Sequence, residues 1–523
     1  LEIAKKKRNI FTGFSKEAAS PFRLMLCVTL VQLSMTMQLM LGTGEFRLFP
    51  VAPFGILFLT GWALYFFSRR ILKRVSFEIE TVAILLSSIG ILLLSGQGLD
   101  AVKTQIIAML IGVFLFCFLV WFMSDLERVT KVRLYIAIGA LLLFALNLLL
   151  GTEIYGSKNW IIIGPVSIQP SELIKIAFIF VGASTLDHLQ TKKNITEFIV
   201  FAGACLGCLF LMKDFGTALI FFVALLVIAF LRSGDLGFLA LMATAAGAGG
   251  WMILQFKPYI ANRFGAWRHV WEHAADSGGF QQTRTMSAIA SGGLFGKGTG
   301  EDAFLKNIGA ANTDLVFGVI SEQFGLILAL CTVFILLVLV LYATRCAATA
   351  RSSYYVIAAN SAAAMLVFQA TLNVLGAVDI LPLTGVTLPF VSVGGSSMIS
   401  CWGLLAFLKA ADTRPNASFT LKLPKRIRGW IPPDADRMYD DRYNGWYDDY
   451  DEGAYEDYGY DDGYEDYDEY EDYDDYDQFA EDWTQDRGGW EDLIDGPLWP
   501  EGEDPLADPP PARGRSDERR RRR

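Results

Sequence analysis

The stretch Ala310-Ala311-Asn312-Thr313-Asp314-Leu315-Val316-Phe317-Gly318-Val319-Ile320-Ser321-Glu322 decides how the rest of the chain is read. It carries a long, polar, glycine-rich segment, 257–312, into an apolar run that continues to about residue 342. At 1.5 Å of rise per residue that run is long enough for a membrane-crossing helix, read here as one unbroken span over 313–342. A carboxylate at the mouth of such a helix costs about 2.5–3.5 kcal/mol at mid-bilayer and less near the interface. Asp314 is therefore expected to be functional, whether in chemistry, binding or transport.

The composition outside this stretch agrees with a membrane protein. The chain of 523 residues is 53% hydrophobic with a mean hydropathy of +0.36, too apolar for a soluble protein of this length. Its net charge of −10 is unevenly placed: residues 431–523 hold 33 acids and 10 bases, against 22 acids and 35 bases before them. The seven cysteines fall in or beside apolar stretches, so no disulfide framework is implied, and Cys205-Leu-Gly-Cys208 reads as small packing residues rather than a redox pair. Lys5-Lys-Lys-Arg8 precedes an apolar run of full spanning length without a small-residue cleavage site, so no cleavable signal peptide is expected.

Apolar windows place spans near 24–43, 49–68, 79–96, 105–124, 132–151, 170–187, 196–212, 214–232, 235–256, 313–342, 354–378 and 392–411. Sequences of this kind satisfy their backbone across lipid only as helices, so the expected fold is all-α, a polytopic membrane helix bundle. Basic residues collect on alternate connections: Lys5 to Arg8, Arg69 to Arg74, Arg128 and Lys131, Lys192 and Lys193, Arg345 and Arg351. By the positive-inside rule these face the cytoplasm, with both termini, while 152–169, 257–312 and 379–391 face outward. After Asp412 the sequence turns to Asp, Glu, Tyr and Gly repeats with few aliphatic residues, and 412–523 is expected to be a disordered acidic tail ending in Arg519 to Arg523.

Two motif matches are decoys. His269-Val-Trp-Glu-His273 fits a zinc-protease string, yet no third ligand is identifiable, and no residues show zinc-ligand spacing. Gly296-Lys-Gly-Thr-Gly300 lacks the spacing of a phosphate loop and follows no strand. A stronger group is Gly156-Ser-Lys-Asn-Trp160-Ile-Ile-Ile-Gly-Pro165-Val-Ser-Ile-Gln169-Pro170-Ser171-Glu172-Leu-Ile-Lys175. Pro170 suits a first helical turn, and Glu172 there suits the helix dipole. Glu172 and Lys175, three apart on one helix, either pair to anchor the helix end or serve a ligand. Trp160 alone reads as an interface aromatic.

That group, Lys213-Asp214-Phe-Gly-Thr217, Gly278-Gly-Phe-Gln281 with Ser287 to Gly293, Thr313-Asp314 with Glu322, and Leu388-Pro389-Phe-Val-Ser-Val-Gly394-Gly-Ser-Ser397 occur in the order found in the SEDS family of RodA, FtsW and SpoVE proteins. The resemblance covers about 79–411. It implies a ten-helix SEDS-like core preceded by two extra transmembrane helices, 24–43 and 49–68, within residues 1–78. Some positions depart from the family pattern: Leu315-Val316 follow Thr313-Asp314 where Phe-Ile is usual, Gln323 follows Glu322, and Arg284-Thr285 and Asn312 replace other residues.

The resemblance further implies a bacterial peptidoglycan glycosyltransferase that polymerises lipid II during cell-wall synthesis. Its expected partners are a class B penicillin-binding transpeptidase and other elongation or division machinery, with no nucleic acid. It would carry Asp314 and Glu172 as catalytic residues and Trp160 as a substrate contact. Gln281 and Glu322 lie in the matched motifs. Lys175, Arg263, Arg268, Arg284 and Lys306 are candidates to meet the diphosphate, alone or with a divalent cation, Mg or Mn. Two other classes remain: a transporter of lipid-linked precursors in which Asp314 gates or binds, and a scaffold that recruits the transpeptidase.

Overall fold

The computed structural model describes residues 20–41, 48–70, 76–95, 99–154, 156–164, 166–185, 192–234, 236–237, 239–244, 247, 250, 265–275, 279–298, 304–305, 308–348, 350 and 352–412. The expected acidic tail, the basic clusters at Lys5 to Arg8 and at Lys73 and Arg74, and the site candidates Arg263 and Lys306 lie outside the described residues, as does most of the expected span 235–256. The described chain is a helix bundle. Its helices are α1 (Pro21–Leu41), α2 (Val51–Arg70), α3 (Glu78–Leu94), α4 (Leu99–Phe122), α5 (Leu126–Leu150), α6 (Pro170–Thr185), α7 (Lys192–Leu211), α8 (Phe215–Ser233), α9 (Phe280–Gly292), α10 (Val316–Phe324), α11 (Leu326–Ala348), α12 (Ser353–Ala377) and α13 (Gly395–Ala411). Seven of them are long and apolar enough to cross a membrane by length and composition.

Polar caps begin or end several of these helices. Asp125 accepts a hydrogen bond from the Glu127 amide at the start of α5, and Asp214 accepts one from the Thr217 amide at the start of α8. Gly234 closes α8 in the left-handed conformation. At the centre stand α12 and α13, whose side chains are buried along most of their length, with α13 packed on α4, α12, α6 and α11. The first two helices dock on α3, where Gln32 Nε2 donates to Ser88 Oγ at 2.7 Å.

Three features differ from the sequence expectation. Residues 152–168 form a small antiparallel sheet rather than a loop: β1 (Thr152–Ile154), β2 (Ser157–Ile163) and β3 (Val166–Ile168), in the order β1-β2-β3. Thr152 pairs with Trp160 and Ile161 with Ile168, the strands being joined at Gly156 and Gly164 with positive φ. Within 257–312 the segment α9 is helical, its polar Gln, Thr and Ser residues hiding it from an apolar-run reading.

The expected span 313–342 is also broken. It divides into α10 and α11 at Gly325, whose φ is 93°. A Cβ at Gly325 would lie 2.2 Å from the Leu294 carbonyl oxygen, because the turn 293–298 runs through the break. That turn satisfies the freed backbone groups: Leu326 N donates to Gly293 O, Lys297 N to Glu322 O and Gly298 N to Gln323 O.

Candidate active site

Asp314 sits in the turn that leads into α10, half-buried, and the backbone on both sides of it is held from outside. Its own carbonyl accepts from Asn373 Nδ2 of α12 at 2.8 Å, and the same amide nitrogen donates to Val386 O at 2.7 Å. The Thr313 carbonyl accepts from Ser392 Oγ, which in turn accepts from Leu388 N at 2.8 Å. Val393 N donates to Asn312 O at 2.9 Å. The segment 384–394 thus wraps the Asp314 turn, and a Cβ at Gly385, where φ is 71°, would come 3.4 Å from Asp314 Oδ2. The positive φ favours glycine there, while a Cβ would stand in ordinary contact with that carboxylate.

Glu172 and Lys175 form a buried ion pair at 2.7 Å, their side chains 6% and 1% exposed. The Lys175 ammonium donates also to Gln369 Oε1 of α12 at 2.7 Å. Gln369 Nε2 donates onward to the Thr387 carbonyl and hydroxyl, each at 2.9 Å, and Thr387 Oγ1 lies 2.8 Å from Ser397 Oγ. Glu172 Oε2 is buried with no hydrogen-bond partner among the described residues. Ser400 Oγ donates to the Glu172 carbonyl at 2.7 Å, joining α13 to α6. Gln369 and Asn373 lie one helical turn apart, so the two networks meet on one face of α12.

A third group is Asp214. Besides capping α8 it accepts from Asn159 Nδ2 of β2 at 2.9 Å and Gln169 Nε2 at 3.3 Å. Trp160, next to Asn159, is half-buried, and its carbonyl accepts from Thr152 Oγ1 at 3.0 Å. Adjacent strand residues face opposite sides, so Asn159 turns to Asp214 and Trp160 away from it. A Cβ on Gly216 would meet Thr384 O at 3.0 Å and Val386 Cγ1 at 2.8 Å, which sets the start of α8 against the segment beside Asp314.

The remaining candidates are less closely gathered. Glu322 is buried on α10, where Oε1 accepts from Phe304 N at 2.8 Å and so holds a piece of the 257–312 segment. Arg268 is exposed, with its amide on Asp379 Oδ1 at 3.1 Å and its guanidinium 5.3 Å from the Trp267 ring centroid. Arg284 is exposed over the Phe280 ring, and Gln281 is half-buried on α9. His269 pairs with Glu272 at 3.4 Å, and among the described residues no three His, Cys, Asp or Glu gather as a metal centre. Gln369, Asn373, Thr387 and Asp214 were not singled out as site residues in the sequence; the legible signal was a pair of amides four apart inside an apolar run.

The fold and this gathering of buried acids, amides and a lysine define a multi-pass membrane protein with a polar site at one end of its bundle. The family model "Cell cycle protein", FTSW_RODA_SPOVE, matches residues 76–416, and the chain belongs to that family of bacterial membrane proteins. The match begins after α2. The chain is 32% identical over 289 residues to "Probable peptidoglycan glycosyltransferase FtsW" of Coxiella burnetii (strain RSA 493 / Nine Mile phase I), covering 53% of this chain and 77% of that protein. It is 33% identical over 300 residues to the protein of the same name from Tolumonas auensis (strain DSM 9187 / NBRC 110442 / TA 4), covering 55% and 77%. Among solved structures it resembles a chain from "Structural coordination of polymerization and crosslinking by a peptidoglycan synthase complex". The TM-score is 0.55 at 25% identity, covering 64% of this chain and 96% of that one.

Proposed function

We propose that this protein is a peptidoglycan glycosyltransferase that polymerises lipid II, with Asp314 as the general base. The observation that carries the reading is the half-buried Asp314 carboxylate on a turn pinned at three successive carbonyls, Asn312, Thr313 and Asp314. A free sugar hydroxyl is a poor nucleophile at neutral pH, and a positioned base contributes roughly 10²–10⁴ in rate. In the proposed step the 4-hydroxyl of one disaccharide attacks C1 of the other sugar and its proton passes to Asp314. The C1–oxygen bond to the diphosphate breaks with inversion, and undecaprenyl diphosphate leaves with the electron pair.

The structure's geometry favours different roles for the other charged groups. Lys175 is already engaged by Glu172 and Gln369. Its charge therefore acts on the site as a fixed buried dipole with Glu172. Arg268 and Arg284, both exposed, are the described cations best able to meet the diphosphate. A magnesium or manganese ion would enter this scheme as a companion of the diphosphate, neutralising the charge that develops on the leaving group.

Orientation follows from the loop charges. Arg69 and Arg70 end α2, Arg128 and Lys131 begin α5, and Arg345 lies in the last turn of α11. These helix ends belong to one side of the bundle: Ser76, after α2, and Tyr342 of α11 both donate to Asp412, and Tyr355, at the start of α12 after α11, donates to the Met123 carbonyl just before α5. Placing that side in the cytoplasm leaves Asp314 facing outward, where lipid II is used and where a class B penicillin-binding transpeptidase would work beside it. Purified protein in detergent, where transport has no meaning, is expected to convert lipid II to glycan polymer. Movement of lipid II across vesicles by a protein that makes no polymer would establish a transporter instead.

A further inference from the structure

Two amide side chains of α12 have no part in the proton transfer, yet one is bonded to the Lys175 ammonium and the other to the backbone carbonyl of Asp314. Gln369 is 1% exposed and Asn373 2% exposed, in a helix otherwise rich in Ala, Val and Leu. An amide buried in a membrane bundle is costly unless its partners repay the desolvation. Both nitrogens find two acceptors. Gln369 joins the Lys175 ammonium to the carbonyl and hydroxyl of Thr387. Asn373 joins the Asp314 carbonyl to that of Val386. Thr387 and Val386 are neighbours on the segment that also carries Gly385, beside Asp314 Oδ2.

We propose that Gln369 and Asn373 are a pair of positioning residues: α12 acts as the rule that sets the distance between the Asp314 carboxylate and the Glu172–Lys175 ion pair. The inference rests on Asp314 being the base. Its physical basis is that one rigid helix face fixes both networks, so the carboxylate and the ion pair cannot move independently. A displacement of about 1 Å at a reacting group is enough to cost roughly 100-fold in rate.

The test compares Gln369→Met and Asn373→Leu, near-isosteric changes without hydrogen-bonding groups, with Tyr342→Phe, which removes a buried hydrogen bond to Asp412 at the far end of the bundle. All are purified in detergent and assayed on lipid II. The two α12 variants are expected to lose about 10- to 100-fold in kcat with KM little changed, and Tyr342→Phe to keep its kcat. A wild-type kcat in both α12 variants, or an equal loss in Tyr342→Phe, overturns the pair's role. A loss confined to KM does so too, since it moves the residues to substrate binding. Asp314→Asn separates the two levels. If it is inactive while both α12 variants match wild type, the pair alone is wrong; if it polymerises at near the wild-type rate, the base assignment falls and takes the pair with it.

Discussion

The bundle holds two buried ion pairs of the same chemistry, one at each end of α13, and they are put to different uses. At the far end Lys409 meets Glu80 at 2.7 Å, and its ammonium also donates to the Ser76 carbonyl at 2.6 Å. Asp412 there accepts from Ser76 Oγ at 2.8 Å and from Tyr342 Oη at 2.6 Å. This cluster ties α3, α11 and α13 together, and every member is buried. At the site end, where Ser400 holds Glu172 about 14 Å along α13 from Lys409 at 1.5 Å per residue, Lys175 meets Glu172 at the same 2.7 Å. From there the polar chain runs through Gln369 to Thr387 and Ser397, and one turn along α12 Asn373 holds the backbone carbonyl of the half-buried Asp314. An ion pair in a membrane bundle thus reads as function when its network approaches a half-buried carboxylate, and as a clamp when its described partners tie helices together.

Breaking each pair sharpens that contrast. Glu172→Gln and Lys409→Met each leave a buried charge without its partner, a cost of about 3–5 kcal/mol, and thermal unfolding in detergent should show both. Polymerisation per folded molecule should be abolished only by Glu172→Gln. Equal activity in the two variants would erase the distinction between the ends. A smaller effect is expected of Gly385→Ala, which forces alanine to a φ of 71° beside Asp314 at about 1–2 kcal/mol and should slow turnover more than it lowers stability. Smallest is Tyr342→Phe, whose lost hydrogen bond should cost about 1 kcal/mol of stability and no activity, read from unfolding and polymerisation curves.

The two ends also differ in how legible they were. Asp314, Glu172 and Lys175 stood out because charges in or beside apolar runs are costly, and the last two are close enough in sequence to be paired by helical spacing. Lys409 and Glu80 are as costly, but they lie far apart in sequence and no local pattern announces their pairing. The same holds for Asn373 and Asp314, joined only when α12 packs against the turn. The break at Gly325 had a signal, a glycine within an apolar run, yet it takes the turn 293–298 to satisfy the opened backbone. The sheet over 152–168 was marked by Gly156 and Gly164 around Trp160-Ile-Ile-Ile, a run short enough to be taken for part of a loop. The helical bundle itself was legible because lipid leaves a long apolar segment no other way to satisfy its backbone.

The most direct measurement is the initial rate of lipid II polymerisation by purified wild-type and Asp314→Asn protein, matched for folded protein by their unfolding curves. Glycan polymer is expected from the wild type, with a fall of roughly 10²-fold or more in Asp314→Asn, which keeps the side chain's size and removes only its capacity as a base. Polymer formed by Asp314→Asn at near the wild-type rate would contradict the base assignment.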